Sequence, residues 1–96
     1  MRPNKLSAEQ AAENLKNFPG WELKDGKLHI EIKFNNFQQA FSFMTQAALV
    51  SEKMDHHPEW FNVYNRVIID LSTHSCGGIS ELDFEWAKSI NAILGR

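Results

Sequence analysis

The chain has 96 residues, 43% of them hydrophobic and 23% charged, with a formal net charge of -2; that length fills one hydrophobic core rather than two, so a single domain over residues 1–96 is expected. The slightly acidic balance lacks the basic footprint of a nucleic-acid binder, and direct contact with DNA or RNA is not expected. Cys76 is the only cysteine, which excludes an internal disulfide and fits a reducing, cytoplasmic setting, and no apolar run reaches signal-peptide or bilayer length, so no membrane role follows.

The first element is signalled by LSAEQAAENLKNF. Ser7 caps a helix, Gln10 closes a capping box, and Leu6 staples onto Ala11. Ala8, Ala11, Ala12, Leu15 and Phe18 form one narrow apolar face, and Pro19-Gly20 ends the segment. In WELKDGKLHIEIKF, Asp25-Gly26 is a hairpin turn between a short strand near Trp21 and a longer one with Leu28, Ile30, Ile32 and Phe34 on one face. His29, Glu31 and Lys33 then face away, and His29 is expected to be solvated. From Asn35 or Asn36, either able to cap, FQQAFSFMTQAALVSEKM places Phe37, Ala40, Phe41, Met44, Ala47 and Ala48 at helical spacing. Phe43 and Val50 lie off that stripe, so the helix is apolar on more than one face and a second packing partner is expected. Pro58 stops helix from running through His57, which places the helix end near Asp55.

Two strands follow. EWFNVYN alternates Trp60, Asn62 and Tyr64 against Phe61 and Val63, and VIIDLSTH alternates Val67, Ile69 and Leu71 against Ile68, Asp70, Ser72 and His74. Asn65-Arg66 is the expected turn. After SCGG, Ser80 caps a last helix with Asp83 in the capping-box position, Ile79 and Phe84 form a staple, and Leu82, Trp86, Ile90 and Ile93 continue it. The order predicts an α+β fold, a four-stranded antiparallel sheet with three helices packed on one face.

Three of the four histidines, His56, His57 and His74, fall where elements end, and ends are where sites are built. Antiparallel pairing of the last two strands brings the end of one beside the start of the other, and so His74 near the His56-His57 pair. Imidazole gives and takes protons near neutrality, which suits acid/base catalysis. Glu52 and Asp55, just before the pair, can fix its tautomers.

Plainer readings stand beside this one. Two histidines at a helix exit also serve as a C-cap. The capping box accounts for Asp83, and packing accounts for Trp60. Gly77-Gly78 needs only a tight turn. A zinc or iron site from His56, His57, His74 and Asp55 is the sharper rival. Its spacing is poor, because neighbours in an extended segment point to opposite sides.

The run EKMDHHPEWFNVYNRV, followed by LSTHSCGGIS and the aspartate after SEL, strongly resembles the pterin-4a-carbinolamine dehydratase family, also called dimerization cofactors of a homeodomain transcription factor. The resemblance extends from the Ser7 helix to near the C-terminus and implies the fold just described. It implies dehydration of 4a-hydroxytetrahydropterin to quinonoid dihydropterin, which supports recycling of the pterin used by aromatic amino acid hydroxylases, with no metal or other cofactor. It implies His56 and His74 as proton donors and His57 as the residue that holds the pterin. Glu52 and Asp55 match acidic supporting positions, Pro58 and Trp60 a site wall, and Asp83 an acid close to the pocket. Mammalian members carry arginine immediately before the position of Asp83, where this chain has Leu82. Family members are homodimers or homotetramers assembled through the long helix and an edge strand. The alternative is a non-catalytic dimerization or coactivator module, which in animals binds a transcription factor, or a regulator of the hydroxylase.

Overall fold

The structure, a computed structural model, describes residues 3–96; Met1 and Arg2, where the expected domain begins, lie outside the described residues. The elements are α1 (Ala8–Leu15), β1 (Glu22–Lys24), β2 (Lys27–Lys33), α2 (Phe37–Met54), β3 (Glu59–Val63), β4 (Arg66–Leu71), a short 3-10 turn (His74–Cys76) and α3 (Glu81–Ile93). The strands form one antiparallel sheet in the order β1-β2-β4-β3. This is the expected α+β architecture, with the helices on one face.

Local chemistry sets most of these boundaries. Ser7 Oγ accepts the Gln10 amide while Gln10 Oε1 accepts the Ser7 amide, the reciprocal capping box. Asp25 and Gly26 both have positive φ, 52° and 76°, which twists the β1–β2 hairpin in the sense the strands require. Of the two candidate caps for α2, Asn36 accepts the Gln39 amide at 2.8 Å, and Gln39 returns a bond to the amide of Asn35.

The core lies between the sheet and the helices. Leu28, Ile30 and Ile32 of β2 stand opposite Leu71, Ile69 and Val67 of β4, all buried. Each such aliphatic side chain contributes about 1.5–3 kcal/mol through burial. From the helices come Ala40, Phe43, Ala47, Phe84, Trp86, Ala87 and Ile90. The two buried indoles find acceptors, Trp86 Nε1 on Ser51 Oγ and Trp21 Nε1 on Asn91 Oδ1.

Four expectations are corrected. The inward stripe of α2 is Ala40, Phe43, Ala47 and Ser51, with Met44 packed beside it, whereas Phe37, Phe41 and Ala48 are exposed; Ala40, Met44 and Ala47 lie inward as expected, and Phe43 replaces Phe37 and Phe41 there. α1 ends at Leu15, so Phe18 packs from the turn that follows, and only Ala11 of the helix is fully buried. The β3–β4 turn is Tyr64-Asn65, with Arg66 already paired to Val63. His29 is only 9% exposed and not solvated, because its cross-strand neighbour Asp70 takes Nδ1 at 2.8 Å on the outer face of the sheet. Among the described residues no helix is long and apolar enough to cross a membrane.

Candidate active site

α2 stops at Asp55, which adopts the left-handed conformation, φ 50° and ψ 45°. The amide of His56 then returns to the carbonyl of Ser51 at 3.0 Å, the wider of the two bonds of a Schellman closure. That reversal turns the chain so that His56 enters the interior, and Pro58 holds the following residues extended into β3. His56 is 7% exposed. Its Nε2 lies 2.6 Å from Oδ1 of Asp83, which is fully buried.

Asp83 has two tasks. As the third residue of α3 its Oδ2 accepts the amide of the N-cap residue Ser80 at 2.9 Å, completing the second capping box of the fold. The same oxygen accepts the hydroxyl of Thr73 at 2.8 Å, while Oδ1 faces His56. The capping role foreseen for Asp83 therefore holds, and the imidazole is added to it. With Asp83 as a carboxylate, which only accepts, the hydrogen between the two groups is the one on His56 Nε2. Charge-assisted bonds of this kind are among the stronger ones in a buried setting.

His57 points elsewhere. It is exposed, and its Nε2 lies 2.6 Å from Oε2 of Glu52, itself exposed. Of the two acids expected to steer the pair, Glu52 contacts an imidazole and Asp55 does not. Asp55 makes no side-chain hydrogen bond to either imidazole among the described residues and serves as the helix terminator.

His74 opens the 3-10 turn after β4. The Thr73 amide bonds the Gly78 carbonyl at 2.7 Å, and the Gly77 amide reaches the His74 carbonyl at 3.1 Å, so the turn is closed on itself with Gly77 in the left-handed region at φ 72°. A tight turn was expected at Gly77-Gly78; it starts earlier, at His74, through which the strand pattern was read straight. His74 is exposed and lies on the wall of a cavity of about 890 Å³ with Thr73, Ser72, Glu59 and Lys27. Lys27 Nζ bonds both oxygens of Glu59, at 2.6 and 2.8 Å. Those bonds hold the ammonium above its ordinary lysine value.

The three imidazoles are thus deployed differently. β3 and β4 pair with Glu59 opposite Asp70, and continuing that register would set His56 opposite Thr73, the residue before His74. The Thr73–Asp83–His56 bonds make that link in fact. His57 is joined only through the chain. The cavity reaches His74 and Thr73 but neither His56 nor His57. Pro58 and Trp60 are half-buried, and Trp60 packs against the core. Among the described residues no cluster of three or more His, Cys, Asp or Glu side chains is arranged to hold a metal ion.

Thr73 and Ser80 were missed as site residues. A signal was present for Thr73: it continues the inward parity of Val67, Ile69 and Leu71 and is buried with them, so a polar side chain there needs an interior partner. Leu82, standing where mammalian relatives carry arginine, is half-buried in the first turn of α3.

A buried imidazole–carboxylate pair, whose carboxylate is bonded by the hydroxyl of the residue just before a second imidazole on a cavity wall, is the equipment of an acid/base enzyme for a small molecule. The chain belongs to the pterin 4 alpha carbinolamine dehydratase family, whose model matches residues 4–93. A protein of Sinorhizobium fredii, provisionally named a pterin-4-alpha-carbinolamine dehydratase, is 52% identical over all of this chain and 94% of its own length. One of the same provisional name from Brucella ovis is 50% identical over 99% of this chain and 100% of its own. The crystal structure of a transcriptional coactivator/pterin dehydratase from Brucella melitensis superposes with a TM-score of 0.90 at 49% identity, covering 94% of this chain and 98% of that one.

Proposed function

We propose that the protein is a hydro-lyase that dehydrates 4a-hydroxytetrahydropterin to quinonoid dihydropterin and water. Family membership supports the reaction, and the observation that carries the chemistry is the 2.6 Å contact of buried His56 with Asp83. In the reaction the C4a–O bond breaks, the oxygen leaves with an added proton as water, and a ring nitrogen loses its proton as the C=N bond forms. An acid must stand at the leaving oxygen and a base at the nitrogen, both working near neutral pH. His56, oriented by Asp83, and His74, on the cavity wall, are assigned to proton delivery at the hydroxyl. His57, restrained by Glu52 at the surface, is assigned to holding the pterin and to taking the proton that its ring nitrogen loses. Pro58 and Trp60 are assigned to the wall of the site, with Asp55 acting through the geometry of the turn it makes.

The assay is stopped-flow detection of quinonoid dihydropterin, with substrate generated in place by an aromatic amino acid hydroxylase. His56→Ala and His74→Ala should each slow dehydration by roughly ten- to a thousandfold with the fold retained. Unchanged turnover in both removes the proton-delivery assignment, and a wild type that gives no acceleration removes the dehydratase reading.

The crystallised relative's coactivator description and two surfaces of this chain favour a second role in assembly. Phe37 and Phe41 pack together on the outer side of α2 with their rings tilted 40° to one another and Phe41 56% exposed, and Leu49 is 68% exposed. On β3, an edge strand, Phe61 and Val63 face outward. Burial of these faces in a homodimer or homotetramer fits their composition. We assign the protein to the cytoplasm on its single, unpaired cysteine, and treat residues 1–96 as one domain.

A further inference from the structure

We propose that Thr73 and Ser80 are positioning residues for the dehydration: their hydroxyls form a directed relay that holds His56 in one tautomer and makes Nδ1 its working nitrogen. The inference rests on the dehydratase reading, which assigns His56 to proton transfer.

The direction follows from counting hydrogens. Asp83 Oδ2 accepts from the Ser80 amide and from Thr73 Oγ1, while Oδ1 lies 2.6 Å from His56 Nε2. A hydroxyl has one hydrogen, and the one on Thr73 is committed to the carboxylate. Thr73 Oγ1 also lies 2.6 Å from Ser80 Oγ. Since Thr73 has no second hydrogen, Ser80 must be the donor in that contact. Ser80 Oγ in turn accepts the Leu82 amide at 3.2 Å, at the start of α3. The order is therefore Leu82 N–H to Ser80 O–H to Thr73 O–H to the Asp83 carboxylate, with no member able to reverse. Successive bonds of one sense polarise one another in a buried setting, and Ser80 and Asp83 are both fully buried, with Thr73 at 3% exposure.

The consequence falls on His56. Two donors converging on Oδ2, the Ser80 amide and the Thr73 hydroxyl, keep Asp83 an acceptor, and an acceptor at 2.6 Å keeps the hydrogen of the neutral ring on Nε2. Nδ1 has no partner among the described residues, so it is the nitrogen left to exchange a proton with substrate: the ring delivers as the imidazolium, giving up Nδ1–H to the leaving oxygen while Asp83 holds Nε2–H, and is left as the neutral Nε2–H tautomer. Thr73 also ties this arrangement to His74. Its carbonyl accepts the amides of Cys76 and Gly77, and its amide bonds Gly78, so one residue fixes both the turn that carries His74 and the acid that orients His56.

The test is the ¹⁵N spectrum of the His56 ring together with the pH profile of kcat, in wild type, Thr73→Val and Thr73→Ser. Valine keeps the branched shape and loses the hydroxyl, while serine keeps the hydroxyl. The wild-type ring should show a protonated-type Nε2 and a lone-pair-type Nδ1. Thr73→Val should mix the tautomers and lower kcat roughly ten- to a hundredfold, a part of what a positioned acid or base contributes, with the pH profile displaced and KM little changed. Thr73→Ser should recover kcat to within about threefold of wild type on the same scale. A lone pair on Nε2 in the wild type overturns the proposal whether or not any variant folds. Equal losses in the valine and serine variants overturn it as well, since packing would then be the cause. The spectrum needs no turnover, so a failure of the dehydratase reading is seen separately, as absent activity beside an intact tautomer.

Discussion

Replacing Asp83 by asparagine changes one atom's chemistry at the junction of helix cap and imidazole, and the structure dictates how the new side chain must sit. The Ser80 amide is fixed by the start of α3 and points at one carboxylate oxygen. It cannot turn into an acceptor, so the amide oxygen of Asp83→Asn must take that side. The NH2 group then faces His56 Nε2, across a contact that is 2.6 Å in the wild type. Two donors cannot share that contact, and His56 responds by moving its hydrogen to Nδ1. For stability, three bonds to a charged acceptor become neutral, each weaker by about 1 kcal/mol, and the smaller desolvation of an amide offsets part of the loss. The net cost should be about 1–3 kcal/mol, read as a lower urea midpoint at unchanged slope. For activity the tautomer matters more. His56 would lose the anion that supports its imidazolium, and a neutral ring with its hydrogen on Nδ1 and no donor hydrogen on Nε2 could give that proton up only by becoming an anion, so the dehydration rate should fall roughly ten- to a thousandfold, or about 1.4–4 kcal/mol of barrier. The measurements are urea unfolding and the stopped-flow assay on the same preparation. A variant that keeps the wild-type rate would refute the claim that Asp83 governs His56 through the ring hydrogen.

The left-handed conformation of Asp55, φ 50°, makes its side chain a local strain: Asp55→Val should destabilise by about 1–2 kcal/mol in urea unfolding while Asp55→Gly should not. Lys27 is raised by its hydrogen bond to Glu59. Its contribution to stability is then fully present below the unfolded-state value of 10.5 and lost as pH rises through the higher folded value; the stability of Lys27→Met, set against wild type across that alkaline range, should converge with it at the top. Phe41→Ser, on the outer side of α2, should lower the association state in sedimentation without reducing monomer stability by more than about 0.5 kcal/mol.

What could be read from the sequence was what neighbouring residues decide. The Ser7 and Ser80 caps and the Asp25-Gly26 turn depend on residues within one turn of helix or hairpin, and each forms as its pattern predicts. The inward face of α2 could not be read so simply. Its Phe and Ala residues satisfy two helical stripes, and only contact with the sheet and α3 decides that Phe43 goes in and Phe41 stays out. His29 was misplaced for a similar reason, since its partner Asp70 is 41 residues away. At the site, the resemblance and the element ends both drew attention to His56, His57 and His74. The division of labour among them needed the interior partners, because Asp83 is 27 residues from His56 and the hydroxyl of Thr73 gains its meaning only once α3 is docked.

The first turn of a helix is ordinarily where the backbone opens soonest, its amides exchanging with solvent while the middle is still closed. In α3 the order is reversed by burial, for Ser80 and Asp83 are as inaccessible as Trp86 at its centre. The acid that orients His56 therefore cannot swing out by fraying; releasing it requires opening the core itself. In the proposed reaction, proton transfer would begin from an arrangement already in place, with little of the reorganisation that a carboxylate on a mobile loop would bring to each turnover.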